Sequence, residues 1–431
     1  MPKFVERIPT MQTVTPSLLH IISIGFLIVG NIIGIGILAL PINTGLAGFI
    51  PSVIGLLVTS AAMYYSAVIL GGEASRRRED TFNYPSLYRT YLGAAGKWLA
   101  VVANLVILYG YLTAYLTSIA AIISRLFTIQ ISPAWLMLGF FAITSLISLA
   151  SVYTIMKYVS ILVVVKCIAF AVISGMAGTH VRAENLAHTN WSLFFCGIPI
   201  MVTAFHFHNI IPAICKSLKW DHRVINRTML VGMAFCFLIY FTWLLVGIGV
   251  LPLDNTPIGL INAFHKNLPA TIPMAEAIQS STFLLIASCF GVVSITTGYL
   301  VNGMGLIGFM DDLTNQHLRI VNPLFSRALS FIPPLLISLV YPDIFLKALD
   351  ISGGFGVVTL FGILPCIIAL RNARTKGQKM LGIAMLLLFS LFFLLEAGQE
   401  LGLLNIDANI EYWKLKAGHV MEKHSLPDLV S

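Results

Sequence analysis

Gly30-Asn31-Ile32-Ile33-Gly34-Ile35-Gly36-Ile37-Leu38-Ala39-Leu40-Pro41 decides how this chain is read. It lies inside the first long apolar stretch, about where a bilayer midplane would fall. Three glycines and an asparagine within seven residues make a poor helix interior, since glycine costs about 1 kcal/mol against alanine there. A helix broken in hydrocarbon exposes N–H and C=O groups that only protein, water or ligand can satisfy. The break is therefore either repaired by neighbours or used, and its use as half of a binding site is the reading developed below.

The composition supplies the setting. Of 431 residues, 58% are hydrophobic and 10% charged, with a mean hydropathy of +0.89. Soluble domains carry about 25% charged residues, so this is an all-α polytopic membrane protein with no separate water-soluble domain expected. The six cysteines (Cys167, Cys196, Cys215, Cys236, Cys289, Cys366) fall in or beside apolar stretches and read as small buried residues, with neither disulfide nor metal spacing. The first span is expected to act as an uncleaved signal anchor.

A spanning helix needs about 20 mostly apolar residues. Eleven segments qualify: 17–42, 48–72, 97–124, 134–151, 157–177, 192–215, 228–252, 280–309, 325–341, 344–370 and 379–398. Pro133, Pro333, Pro334 and Pro342 blur the ends of the fourth and ninth. With the N-terminus inside, 18 of the 26 Lys and Arg fall in cytoplasmic segments and seven outside, while Lys166 stays within the membrane. That bias sets a cytoplasmic tail at 1–16 and an outer tail at 399–431. The basic clusters mark topology and lipid headgroups; they are not a nucleic-acid surface. Trp98, Trp135, Trp191 and Trp220 fall at the expected interfaces.

The sixth span repeats the anomaly of the first. Its middle reads Val202-Thr203-Ala204-Phe205-His206-Phe207-His208-Asn209, followed by Ile210-Ile211-Pro212. Interrupted segments in corresponding positions of two halves point to a transporter's binding site. If spans one and six begin two repeats, each has five crossings, and the odd number inverts the second. The repeats would be 17–177 and 191–371, with 379–398 added outside them. The outer segment Asp254 to Gln279 reads either as a hairpin lid or as a plain loop.

Several residues carry candidate chemistry. Gly34-Ile35-Gly36 can present amides at the start of a half-helix, a positive end suited to a carboxylate; close helix packing through Gly30 and Gly34 is the plainer reading. Carbonyls near Ala204 suit an ammonium group. Phe205 and Phe207 are candidates for an apolar wall, or are ordinary packing aromatics. His206 and His208 are either structural donors or proton relays; spaced i, i+2 on a helix, they would face different ways. Lys166 is too deep to snorkel and must face the interior. Desolvation favours its neutral form, so it reads as a proton carrier, or else as a fixed cation on carbonyls of the broken span. Ser294, Thr296 and Thr297 could hold a cation or the lysine head, or bond back to their own helix. Tyr111 and Tyr115, i and i+4, share one face and line a cavity or form a packed stripe. Asp350 with Gly353, Gly354 and Gly356 suggests a wet outer vestibule. No hydrolase triad, paired-carboxylate, phosphate-loop or metal motif is present, and no nucleotide domain that could drive a pump.

The segment Gly30 to Pro41 resembles the first helix of the bacterial hydroxy/aromatic amino acid permeases, the tyrosine- and tryptophan-specific transporters of the amino acid–polyamine–organocation superfamily. Phe205-x-Phe207-His208 followed by Ile211-Pro212 resembles their sixth helix. The lysine of span five and Gly308-Phe309-Met310-Asp311-Asp312 are similar as well. The resemblance implies a LeuT-type fold of five plus five inverted helices, with proton-coupled import of an aromatic amino acid at the bacterial inner membrane. It also implies that Lys166 stands in place of a bound sodium, beside Thr296 and Thr297. One position departs from the family: His206 stands where glycine is usual between the phenylalanines.

The expected site therefore binds the substrate carboxylate on amides of Ile33 to Gly36 and the ammonium on carbonyls near Gly30 and Ala204. Asn31, Tyr111, Tyr115, Phe205, His206, Phe207 and His208 surround it, and Lys166 couples proton movement to closure of span one against span eight. The proton is the coupling ion, with no cofactor, metal or obligatory protein partner expected beyond the lipid bilayer. The alternatives are a sodium-coupled transporter of the same fold and, from another class, an amino acid sensor or channel.

Overall fold

A computed structural model describes residues 18–78, 83–127 and 131–403. It is 84% helix, and no strand occurs among the described residues, which confirms the all-α class. Nine helical segments there are long and apolar enough to cross a membrane. All eleven expected spans coincide with helical segments. The tails at 1–16 and beyond 403 lie outside the described residues.

The first span comes in two pieces, α1 (Leu18–Ile32) and α2 (Ile35–Gly45), parted at Ile33 and Gly34. Then come α3 (Phe49–Arg77), α4 (Tyr84–Phe127), α5 (Pro133–Ile147) and α6 (Val152–Gly178). The sixth span is again divided, into α7 (Ile198–Ala204) and α8 (Ile211–Ser217). Next are α9 (His222–Val250), α10 (Leu260–His265), α11 (Thr271–Ile278), α12 (Ser281–Leu313) and α13 (Pro323–Val340). The chain closes with α14 (Phe345–Ile351), a wide π-type stretch at Ser352–Ile363, α15 (Leu364–Asn372) and α16 (Lys376–Glu400).

Two expectations change in the structure, and one open alternative is decided. Helix α4 starts at Tyr84 rather than 97, because Gly93 takes φ +67 and lets the helix turn a corner before it enters the apolar stretch. The segment Asp254 to Gln279 is a folded cover. Its two short helices are pinned where the Ala270 N–H donates to the Leu38 carbonyl (2.7 Å) and where Arg125 pairs with Glu276 (3.1 Å). Among the cysteines, Cys289 is exposed and Cys167 half-buried, as an apolar side chain facing lipid can be.

Prolines inside the spans are tolerated for a common reason. Each lacks an N–H and so frees the carbonyl four residues earlier, and in hydrocarbon that carbonyl needs another donor. Trp243 Nε1 donates to Ile37 O (2.6 Å), freed by Pro41. Tyr109 Oη donates to Leu329 O (2.8 Å), freed by Pro333. Ser66 takes the Phe361 carbonyl freed by Pro365, and at Pro212 the Tyr84 hydroxyl joins the Ile211 N–H on the His208 carbonyl. Each side-chain donor sits on a different helix from its proline, so these bonds also join the bundle.

Helix α6 shows how lipid and core divide a span. Ile161, Val164, Ile168 and Val172 are exposed, while Lys166, Phe170, Ile173 and Ala177 are buried on the opposite side. The three- and four-residue steps give each set one face. Lys166 therefore sits on the inward face, as its cost in hydrocarbon requires.

Candidate functional site

The two breaks meet. An added Cβ on Gly36 would lie 3.0 Å from the Ala204 Cα, so the start of α2 presses on the end of α7 and a larger residue would have to push the two backbones apart. Tyr240 of α9 joins them: its hydroxyl lies 2.8 Å from Ile32 O and 2.9 Å from Ala204 O, one proton shared between two carbonyls. Nothing in the sequence pattern singled out Tyr240, because its role exists only once three helices converge.

Lys166 reaches into the first break. It is 3% exposed, and its Nζ donates to Gly30 O (2.9 Å) and to Ile33 O. Gly30 lies in the last turn of α1 and Ile33 just beyond it; carbonyls there lack helical partners and form the negative end of the helix. Thr297, by contrast, donates to Val293 O (2.9 Å) and Ser294 O (3.1 Å) of its own helix, and Thr296 is half-buried. The lysine head thus rests on backbone, and of the hydroxyls expected beside it that of Thr297 is turned to α12 itself.

A small polar cavity of about 40 Å³ lies between the breaks. It is lined by Asn31, Ile32, Gly34, Ile35 and Gly36 on one side and Tyr111, Tyr115, Thr203, His206, Asn209 and Asn302 on the other. The amides of Ile33 and Gly34 are already bonded, to Val29 O (2.9 Å) and Ile32 O (2.7 Å). Those of Ile35 and Gly36 open α2, whose first turn has no intrahelical acceptors and no side-chain cap. The amides left open at this break are therefore those of Ile35 and Gly36, two residues beyond the start of the expected run. The Gly30 and Ala204 carbonyls, expected to take an ammonium, already accept from Lys166 and Tyr240.

The second break reorders its side chains. From Phe205 to His208 the backbone leaves the helix, so the i, i+2 argument fails. The His206 and His208 rings lie parallel (7°) with centroids 6.1 Å apart, and both meet Phe361 at about 5 Å (4.9 and 5.0 Å). His206 lines the cavity, with Nδ1 3.3 Å from the Tyr111 hydroxyl. Phe205 and Phe207 are fully buried and line neither this cavity nor the one below. Phe205 packs edge-on against Tyr240 (5.3 Å) and Phe207 lies against His208 (5.1 Å).

Through His206, Asn209 and Asn302 the small cavity runs into a larger one of about 240 Å³. Its walls are Ile107 and Leu108 of α4, Val301 and Phe309 of α12, and Phe361, and it reaches Asn83–Pro85 and Asp312. Asn302 donates to the Tyr115 hydroxyl (3.3 Å) and to Gly298 O (3.0 Å). Sequence reading missed Asn302, Thr203 and Asn104; a lone amide in a long apolar helix is the signal that marks Asn302 and Asn104. At the other end a separate cavity of about 390 Å³ is lined by Lys347, Asp350, Glu396 and Glu400. There Asp350 accepts from Asn43 (3.1 Å), so the expected outer vestibule is polar and tied to the end of α2.

Residues 19–396 match the model of the tryptophan/tyrosine permease family. The chain belongs to this family. Its members are permeases, not enzymes, and the chain is a multi-pass membrane protein. It is 27% identical over 331 residues to the tyrosine-specific transport system 1 of Haemophilus influenzae, covering 76% of this chain and 82% of that one. It is 23% identical over 380 residues to the tryptophan-specific transport protein of Shigella flexneri (86% and 90%). Among solved structures, the manganese transporter of Eremococcus coleocola aligns at TM-score 0.57 and 14% identity, over 94% of this permease and 92% of that chain. A nucleobase-cation-symport-1 family transporter in a closed conformation aligns at 0.53 and 13%, over 91% and 95%. At such identities these two show a shared, LeuT-like fold and nothing about cargo.

Proposed function

We propose that this permease is a proton-coupled secondary transporter that imports an aromatic amino acid by alternating access, in a bacterial inner membrane with its N-terminus in the cytoplasm. The observation that carries the reading is the polar cavity between two facing helix breaks, with the Lys166 ammonium on the carbonyl end of one of them. The family and the tyrosine- and tryptophan-specific relatives supply the substrate class. The α-carboxylate binds the amides of Ile35 and Gly36 at the positive end of α2. Tyr111, Tyr115, His206, Asn209 and Asn302 surround the α-carbon. The ring extends into the larger cavity, since about 40 Å³ holds no aromatic side chain.

Lys166 supplies the coupling. Protonated, it ties α1 to α6 through Gly30 and Ile33. Deprotonated, it has one donor fewer and no charge to hold the helix end, so α1 is released to move. A sodium ion at this place would meet the same carbonyls, which makes the ion the thing to test. Purified protein in proteoliposomes, given tyrosine or tryptophan with an imposed pH gradient, accumulates substrate with or without sodium. Uptake that requires sodium and ignores the pH gradient would sink proton coupling. Equilibration without accumulation would assign the chain to a channel or sensor.

A further inference from the structure

We propose that Asn104 reads the polar atom at the far end of the substrate's aromatic side chain, and so favours tyrosine and tryptophan over phenylalanine. The inference deepens the transport reading above and rests on it. Asn104, Leu108 and Tyr111 follow one another on α4 at steps of four and three residues and so share a helix face. Tyr111 lines the small cavity, while Leu108, its neighbour Ile107, and Asn104 line the large one. At 1.5 Å per residue, Asn104 lies about 10 Å along the axis from Tyr111. That face therefore offers a hydroxyl, then an apolar step, then an amide.

An aromatic amino acid has the same order of groups. From carboxylate carbon to phenol oxygen it spans about 8 Å by ordinary bond lengths. Held at Ile35 and Gly36, it lays its ring against Ile107 and Leu108, opposite Phe361, and its polar end reaches the level of Asn104.

The other polar groups at the junction with the small cavity are less suited. Asn302 is already bonded to Tyr115 and Gly298. Asn209 and His206 border both cavities, at the level of the α-carbon. Asn104 is half-buried, and no hydrogen bond is recorded for it among the described residues. An amide both donates and accepts, so it can take a phenol O–H or an indole N–H. Phenylalanine offers neither, and a site built for a hydrogen bond rejects the analogue that lacks it.

The test is competition in proteoliposomes. Half-saturation constants for tyrosine, tryptophan and phenylalanine are measured for the wild type and for Asn104→Leu. The wild type should prefer tyrosine to phenylalanine by about ten-fold, the ratio one neutral hydrogen bond supports, and Asn104→Leu should bring that ratio close to one. Asn104→Ser, which removes the amide with less bulk, is measured in the same way in case the leucine variant does not insert. A tyrosine-to-phenylalanine ratio unchanged in a variant that still transports would overturn the role of Asn104. Failure of the wild type to accumulate any aromatic amino acid would overturn the transport reading itself, and this inference with it.

Discussion

Lys166 and the glycines of the first break show how far single residues carry the mechanism. Lys166→Gln keeps a donor for Gly30 O or Ile33 O but removes the titratable charge. It should abolish the dependence of tyrosine accumulation on an imposed pH gradient while exchange of substrate across the membrane persists. Accumulation that still follows the gradient would remove Lys166 from coupling. Gly34 and Gly36 divide the two readings of the break between them. A Cβ on Gly34 would point toward the Tyr115 hydroxyl at 3.8 Å, into the cavity, whereas one on Gly36 meets the Ala204 backbone at 3.0 Å. Gly34→Ala is therefore expected to leave the melting temperature near that of the parent and to raise the half-saturation constant for substrate. Gly36→Ala should also lose about 1–3 kcal/mol of stability, the range of overpacked sites, seen as a lower melting temperature in detergent. Equal melting temperatures for the two variants would contradict this division.

At the scale of elements, the prolines turn sequence liabilities into joints between helices. Pro41 on α2 and Trp243 on α9 share one carbonyl, that of Ile37. Trp243→Phe leaves that carbonyl buried and unpaired, which costs about 1–3 kcal/mol. Pro41→Ala restores a backbone N–H that can take its place. The two substitutions together should therefore destabilise less than the sum of each alone, with a coupling of about 1–2 kcal/mol in a double-mutant cycle of thermal unfolding. Additive losses would show that the indole bond is incidental. The same logic explains why α13 runs through Pro333 instead of ending there. Tyr109 supplies the donor that a sequence-based boundary cannot foresee, because it lies more than 200 residues away.

For the whole molecule, the cavities have a direction. The larger cavity beside the breaks runs on toward Asn83–Pro85 and Asp312, the end proposed to face the cytoplasm. At the other end it shares no wall with the outer cavity. Ala270 on Leu38 and Asn43 on Asp350 close the space between them. Helix α16 reinforces that end, since Glu400 pairs with Lys347 (2.5 Å) and Glu396 packs where a Cβ on Gly354 would fall. With the N-terminus in the cytoplasm, as proposed above, this arrangement would be that of an inward-facing transporter. Gly305 lines the large cavity, and nothing lies within 4 Å of where its Cβ would be. A membrane-impermeant thiol reagent should thus label Gly305→Cys above the parent background in inside-out vesicles, and more slowly with bound tyrosine. Labelling only in right-side-out vesicles would reverse the assigned orientation.

The sequence by itself determined what local chemistry controls. Twenty-residue apolar runs marked the spans, clustered glycine and histidine marked the two breaks, and a lysine deep in a span had to face inward. Each follows from the energy of one residue or one segment in hydrocarbon. Contacts between segments decided the rest. The His206 and His208 rings came to lie side by side because the backbone between them is not helical. Phe205 turned to Tyr240 instead of the cavity, and of the two partners the sequence left open for the Lys166 head, carbonyls of the break or hydroxyls of α12, packing chose the carbonyls. Tyr240 acquired meaning only from the helices opposite it, and the lone amides Asn104 and Asn302 found their neighbours there. A buried polar atom is committed to whichever partner the packed bundle brings within about 3 Å, and packing is a property of the bundle, not of any one of its segments.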